Sequence, residues 1–165
     1  MKKILAAVLA LIMILGCTSV YADDMVELYK SDFTKAQCDG WYGNCAPYKV
    51  TDEGDFFMYS RSQGWNAPKR EFKLQPGVEY KVTVEIYQES MDTVPFMMSV
   101  EQDGANWVNL ITDVQVPKGE WTTMEGTFTL EKFKKYELYV ETTDEFAKVD
   151  FKIRNFTIYG PKGAL

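Results

Sequence analysis

Apolar and polar positions alternate with a period of two along most of this chain. Tyr80, Val82, Val84 and Ile86 interleave with Glu79, Lys81, Thr83, Glu85 and Tyr87. Successive side chains of a strand point to opposite faces, so this pattern predicts a strand with one buried side. Phe96, Met98 and Val100 alternate with Met97, Ser99 and Glu101, and Met124, Gly126, Phe128 and Leu130 alternate with Thr123, Glu125, Thr127 and Thr129. Near the end, Phe151 and Ile153 share one phase while Phe156 and Ile158 share the other. That change of phase predicts a bulge at Arg154-Asn155. Turn signals fall between the runs, at Glu53-Gly54, Pro76-Gly77, Asp103-Gly104 and Pro117-Lys118-Gly119. About ten strands are expected and no helical period stands out. Short strands with Gly and Pro turns predict an all-β fold, a two-sheet antiparallel β-sandwich of the jelly-roll type.

Large aromatics occupy the polar phase of some strands. In Tyr136-Glu137-Leu138-Tyr139-Val140-Glu141, inward Leu138 and Val140 would turn Tyr139 and Glu141 outward together. In Asn106-Trp107-Val108-Asn109-Leu110, inward Val108 and Leu110 would place Trp107 beside Asn109 on the outside. A flat apolar ring next to an amide or carboxylate suits a sugar, whose C–H face stacks while its hydroxyls take fixed hydrogen bonds. The bland alternative is that aromatics favour strands in general. Tyr87 shares a phase with Glu85 and is a further candidate contact.

The N-terminus reads as an export signal over residues 1–22. Lys2 and Lys3 precede an apolar stretch from Ile4 to Leu15, too short to span a bilayer, and Val20-Tyr21-Ala22 fits a cleavage site before Asp23. A rival reading makes Ile14-Leu15-Gly16-Cys17 a lipobox, leaving a lipidated Cys17 and a membrane anchor. Either way the expected location is outside the cytoplasm, secreted or on the cell surface. Residues 23–165 form one domain, with a loose tail expected at about 160–165. Without Lys2 and Lys3, 16 basic residues face 24 acidic ones, a net charge of −8. Such an acidic surface disfavours nucleic acid, anionic lipid and polyanionic glycans, but not a neutral polysaccharide. Cleavage after Ala22 leaves Cys38 and Cys45, expected as a disulfide closing a short loop.

The chain has no histidine. Ser-His-Asp and Cys-His nucleophilic sites and histidine metal sites are thereby excluded. Glycoside hydrolysis needs only two carboxylates, and Glu141 with Asp144 or Glu145 would be the pair for that reading. A cell-surface scaffold or adhesion module is another alternative.

Taken in order, the motifs resemble those of carbohydrate-binding module family 22, in the jelly-roll group with families 4 and 9. Asp39-Gly40-Trp41 comes first, then Arg61-Ser62-Gln63-Gly64-Trp65-Asn66-Ala67-Pro68 and the segment Leu74 to Tyr80. Gly119-Glu120-Trp121, Leu138-Tyr139-Val140-Glu141 and Asp150-Phe151-Lys152-Ile153 follow. The likeness runs from about Leu28 to Tyr159. It implies a non-catalytic binding module, of a kind associated with glycoside hydrolases, whose concave sheet face holds xylan or mixed-linkage β-glucan. It makes Trp65 a principal stacking ring, Trp107 a second platform, and Tyr139 and Glu141 the Tyr-x-Glu pair. Trp41 and Trp121 take positions packed at the sandwich edges. Tyr59 and Arg61 either line the groove or, for Arg61, serve as a satisfied structural arginine. No cofactor is expected beyond a structural calcium ion, for which only Asp150 and backbone carbonyls remain, because Arg154 and Asn155 replace acidic residues. Relatives often carry an arginine just after the Gly-Trp, where this chain has Tyr42-Gly43-Asn44-Cys45.

Overall fold

The computed structural model describes residues 25–34, 37–102, 106–131 and 136–165. The proposed leader and Cys17 lie outside them, as does the Asp103-Gly104 turn. Eleven strands are seen among the described residues: β1 (Met25–Lys30), β2 (Tyr42–Gly43), β3 (Tyr48–Val50), β4 (Phe56–Met58), β5 (Pro68–Phe72), β6 (Glu79–Gln88), β7 (Thr93–Gln102), β8 (Asn106–Pro117), β9 (Thr122–Thr129), β10 (Tyr136–Thr142) and β11 (Phe151–Pro161). A 3-10 turn, Asp144–Phe146, follows β10.

All named strands pair antiparallel in two sheets. One has the order β3-β4-β11-β6-β9, with β1 also on β11, and the other has the order β2-β5-β10-β7-β8. β11 shares one side with β6 along its length, and its other side first with β4 and then with β1. Between those partners its register with β6 slips from Arg154↔Glu85 to Thr157↔Thr83, and Asn155 takes φ 51°. This is the bulge the phase change predicts. It lets Phe151 and Ile153 before it and Phe156 and Ile158 after it all enter the core.

The core is the space between the sheets. Tyr80, Val82, Val84 and Ile86 on β6 meet Phe96, Met98 and Val100 on β7 and Leu138 and Val140 on β10, all fully enclosed. Trp41 is buried too, edge-on against Phe156 with ring centroids 4.6 Å apart. The Pro76-Gly77 and Pro117-Lys118-Gly119 turns form as expected, with both glycines at φ 74°, a conformation that costs a glycine little.

Several expectations need correction. The C-terminus is tied down: Gly160 and Pro161 pair with Val26 and Met25, and the buried Tyr80 hydroxyl donates to the Ala164 carbonyl at 2.7 Å. Val108 shares the inner face of its partner Val100, yet on the edge strand β8 it stays exposed. Trp121, expected to be packed at a sandwich edge, is only half-buried. It lies on the outer side of the first sheet, with the Arg154 guanidinium 3.9 Å from its ring and Tyr87 beside it at 5.2 Å. Cys38 and Cys45 are free thiols. Cys38 packs against the core, whereas Cys45, at φ 57°, lies exposed with its sulfur toward Asn44, so the two turn to different surroundings.

Candidate functional site

β10 lies inside the second sheet, between β5 and β7. Directly paired residues share a face, so register alone assembles the outer face of this sheet. One row reads Tyr42, Lys69, Tyr139, Ser99, Asn109, and the next reads Glu71, Glu137, Glu101, Trp107. Glu141 lies two residues beyond Tyr139, opposite Met97.

The face is not uniformly open. Trp107 is 51% exposed, but Tyr139 is only 1% exposed. Trp107 stands edge-on to Tyr139, with centroids 4.8 Å apart and planes at 62°. Tyr139 is therefore the floor on which Trp107 rests, a supporting ring rather than the outward contact its strand phase predicts.

Beneath these rings runs a polar network. The Tyr139 hydroxyl lies 2.7 Å from Glu101 and 2.8 Å from Glu137, and Lys69 Nζ donates to it at 3.1 Å. Lys69 also donates to Glu137 at 2.8 Å, and the Tyr42 hydroxyl donates to Glu137 at 2.7 Å. Burial, with two carboxylates beside it, pushes the Tyr139 phenol well above its usual range. Burial alone would also raise Glu137, but the Lys69 ammonium and the two tyrosine hydroxyls outweigh it and hold that carboxyl at about 2. The same partnership raises Lys69 against the effect of its burial. At neutral pH the network thus holds an ionised Glu137–Lys69 pair under neutral phenols.

Trp65 projects from the loop between β4 and β5 and is 45% exposed. The loop is rigid for reasons written in its neighbours. Arg61 is buried, and its guanidinium donates to the carbonyls of Asn66 (2.5 Å), Val149 (2.6 Å) and Gly64 (2.7 Å) and to Thr142 Oγ1 (3.0 Å). It also lies over the Phe151 ring at 4.7 Å. Burial lowers its pKa to about 10, which leaves it charged at neutral pH. The Asn66 side-chain oxygen accepts from the backbone N–H groups of Ser62 and Gln63, at 3.1 and 3.0 Å, and the Gly64 N–H donates to Asp144 at 2.8 Å. A Cβ at position 64 would come within 2.3 Å of the Thr142 carbonyl oxygen, so only glycine lets the loop sit this close to β10.

Trp65, Trp107 and Glu141 line one open cleft of about 410 Å³. Glu141 is 8% exposed and accepts a hydrogen bond from the Ser99 hydroxyl. Burial raises its pKa, while the Ser99 bond and the Arg61 charge work against the rise. The cleft thus offers two flat apolar rings around one carboxylate.

Of the residues singled out by sequence, Trp65, Trp107 and Glu141 come together, with Tyr139 beneath them and Asn109 exposed on the same face. Arg61 is the structural arginine rather than a groove residue. Tyr59 and Tyr87 belong elsewhere. Tyr59 stacks on Phe57 at 5.5 Å, and Phe57, Lys152 and Tyr87 form a row on the outer side of the other sheet. Asp144, one of the two candidate partners of Glu141 in the hydrolytic reading, is occupied in holding Gly64. Among the described residues no group of three or more acidic or cysteine side chains could hold a metal ion. Asp150 lies within range of the Arg61 charge, and Arg154 and Asn155 supply no carboxylate, so the donor set does not fit calcium. Sequence reasoning missed Tyr42, Lys69, Glu101 and Glu137. Glu137 was within reach, because it shares the phase of Tyr139 and Glu141.

Residues 27–146 match the family described as carbohydrate binding domain, the grouping of families 4 and 9. Endo-1,4-beta-xylanase A from Thermoanaerobacterium saccharolyticum is 31% identical over 86% of this chain, which spans 14% of that relative's length. The fold superposes on the xylan-binding domain CBM22-1 from Paenibacillus barcinonensis with a TM-score of 0.76, at 20% identity, over 87% of this chain and 99% of that one. It also superposes on part of the CBM22-1-GH10 modules of a Clostridium thermocellum endo-1,4-beta-D-xylanase, complexed with xylohexaose. There the TM-score is 0.69 and the identity 24%, over 84% of this chain and 29% of that one.

Proposed function

Since this chain belongs to the family of carbohydrate-binding domains, we propose that it binds a neutral plant cell-wall polysaccharide, xylan first and mixed-linkage β-glucan second, in the cleft between Trp65 and Trp107. The observation that carries the reading is the cleft itself: two exposed indoles around a buried carboxylate that Ser99 holds in place. The indoles stack on the C–H faces of sugar rings, and Glu141 accepts hydrogen bonds from their hydroxyls. The relatives support the choice of xylan, because the 31% identical protein is a xylanase and the superposing domain is xylan-binding. The same face also disfavours acidic sugars, since Glu71, Glu101, Glu137 and Glu141 outnumber Lys69.

Stacking with a few hydrogen bonds corresponds to micromolar to millimolar affinity, roughly −4 to −8 kcal/mol. We place the protein outside the cell, exported by the leader at residues 1–22 and working together with glycoside hydrolases. Mass spectrometry of the mature N-terminus distinguishes cleavage after Ala22 from lipidation at Cys17. Binding is tested by affinity electrophoresis against xylan, β-glucan, mannan and pectin. Retardation on xylan or β-glucan, with a loss of about 1–3 kcal/mol on Trp65→Ala or Trp107→Ala, supports the reading, by analogy with bases stacked on aromatic side chains. Absence of retardation on every neutral glycan overturns it.

A further inference from the structure

We propose that Tyr42, at the far edge of the same sheet from Trp107, is a further stacking platform beyond the Trp65–Trp107 cleft, so that the face accommodates a glycan chain several rings long. The inference rests on the neutral-polysaccharide reading and deepens it. In the order β2-β5-β10-β7-β8, Tyr42 stands on one edge strand and Trp107 on the other. Four strand spacings separate them, a span of ~19 Å. The register puts both on the same face. Tyr42 pairs with Lys69, Lys69 with Tyr139, and Tyr139 with Ser99 on β7, the strand that carries Trp107's partner Glu101.

The floor between the two edges is continuous. The Lys69 ammonium lies 5.0 Å from the Tyr42 ring and 5.2 Å from the Tyr139 ring, and Tyr139 in turn meets Trp107 at 4.8 Å. Tyr42 is held by its hydrogen bond to Glu137 and by Lys69, yet it is 36% exposed. A ring fixed before the ligand arrives has little rotamer freedom to lose on stacking. Both oxygens of Glu137 are already engaged, one with Tyr42 and the other with Lys69 and Tyr139. What this edge offers a sugar is therefore the ring.

The test is calorimetry of the full chain with xylotriose and with xylohexaose, for the unmutated protein, Tyr42→Ala and Tyr42→Phe. The unmutated protein should bind xylohexaose more tightly than xylotriose. Tyr42→Ala should lose about tenfold in affinity for xylohexaose, the lower part of the range for a stacking ring, and much less for xylotriose. Tyr42→Phe keeps the ring without its bond to Glu137 and should restore most of the xylohexaose affinity. Thermal midpoints measured alongside separate lost binding from lost folding. Equal weakening toward both oligosaccharides, or an unchanged xylohexaose affinity in Tyr42→Ala, overturns the Tyr42 platform and leaves the Trp65–Trp107 cleft standing. Failure of the unmutated protein to bind either sugar overturns the xylan reading, and this inference with it.

Discussion

Replacing Tyr139 by alanine separates a supporting ring from a contact ring. Tyr139 is enclosed by Trp107, Lys69 and the carboxylates of Glu101 and Glu137. Truncating a buried aromatic to alanine costs about 3–5 kcal/mol through lost contacts and the cavity left behind. Losing the hydroxyl also deprives Glu101 and Lys69 of a partner, about 1 kcal/mol for an ordinary hydrogen bond. The site lies under an open face, where water can reach those groups, so the total should fall near the lower end, about 3–4 kcal/mol. For a chain of this size, a loss of that order corresponds to a fall of roughly 10 °C in Tm. Tyr139→Phe keeps the ring and should lose only about 1 kcal/mol. Glycan affinity should fall in the alanine variant as well, because Trp107 loses its edge-on partner. The assay pairs thermal melts with calorimetric binding. A Tyr139→Ala protein that melts with the unmutated one and loses only its affinity would show that Tyr139 is an open contact ring, and the account of the face given above would be wrong.

Arg61→Met removes the guanidinium donor from the carbonyls of Asn66 and Val149 and leaves that of Gly64 with the long 3.4 Å bond from the Thr142 N–H. It should cost about 3–5 kcal/mol, as when one partner of a buried charged interaction is removed, and should reduce binding through Trp65; a variant with the unmutated midpoint would refute the structural role. Glu137 has a folded-state pKa of about 2, below the ordinary value of ~4.3. Its ionised form is therefore favoured by folding, and its contribution is present above ~4.3 and lost as pH falls toward 2. The raised pKa of Glu141 has the opposite sign, with protonation favouring the fold as pH drops through that value. Denaturant midpoints measured against pH should show a flatter acid limb in Glu137→Gln, and an unchanged limb would refute the assignment. Because Cys38 and Cys45 are free, a thiol reductant should leave Tm unchanged; a large drop would establish a bridge.

Strand periodicity carried most of the fold, down to the bulge at Arg154-Asn155, because the inward phase of each strand has one possible destination. The outward phase has several. Phase places Tyr139 and Trp107 on the same face, but the ring above and the ammonium beside Tyr139 come from β8 and β5, and no local pattern announces them. Tyr87 illustrates the same gap: its phase is outward, but on the opposite sheet. Lys69 and Glu137 are distant in sequence and meet only through the pairing of β5 with β10. The Cys38–Cys45 pairing was inferred from number and compartment, neither of which fixes where two side chains point.

The loop that carries Trp65 would ordinarily be the place where such a fold varies, since surface loops tolerate insertion and drift. Here Arg61 fastens it to Val149 and Thr142, Asp144 holds Gly64, and position 64 admits no side chain. A one-residue change in loop length would break its contacts to Thr142, Asp144 and Val149. Descendants of this protein are therefore poorly placed to acquire a new ligand by remodelling that loop. A less constrained position is Asn109, exposed on the edge strand β8. Diversification of glycan choice should be concentrated there.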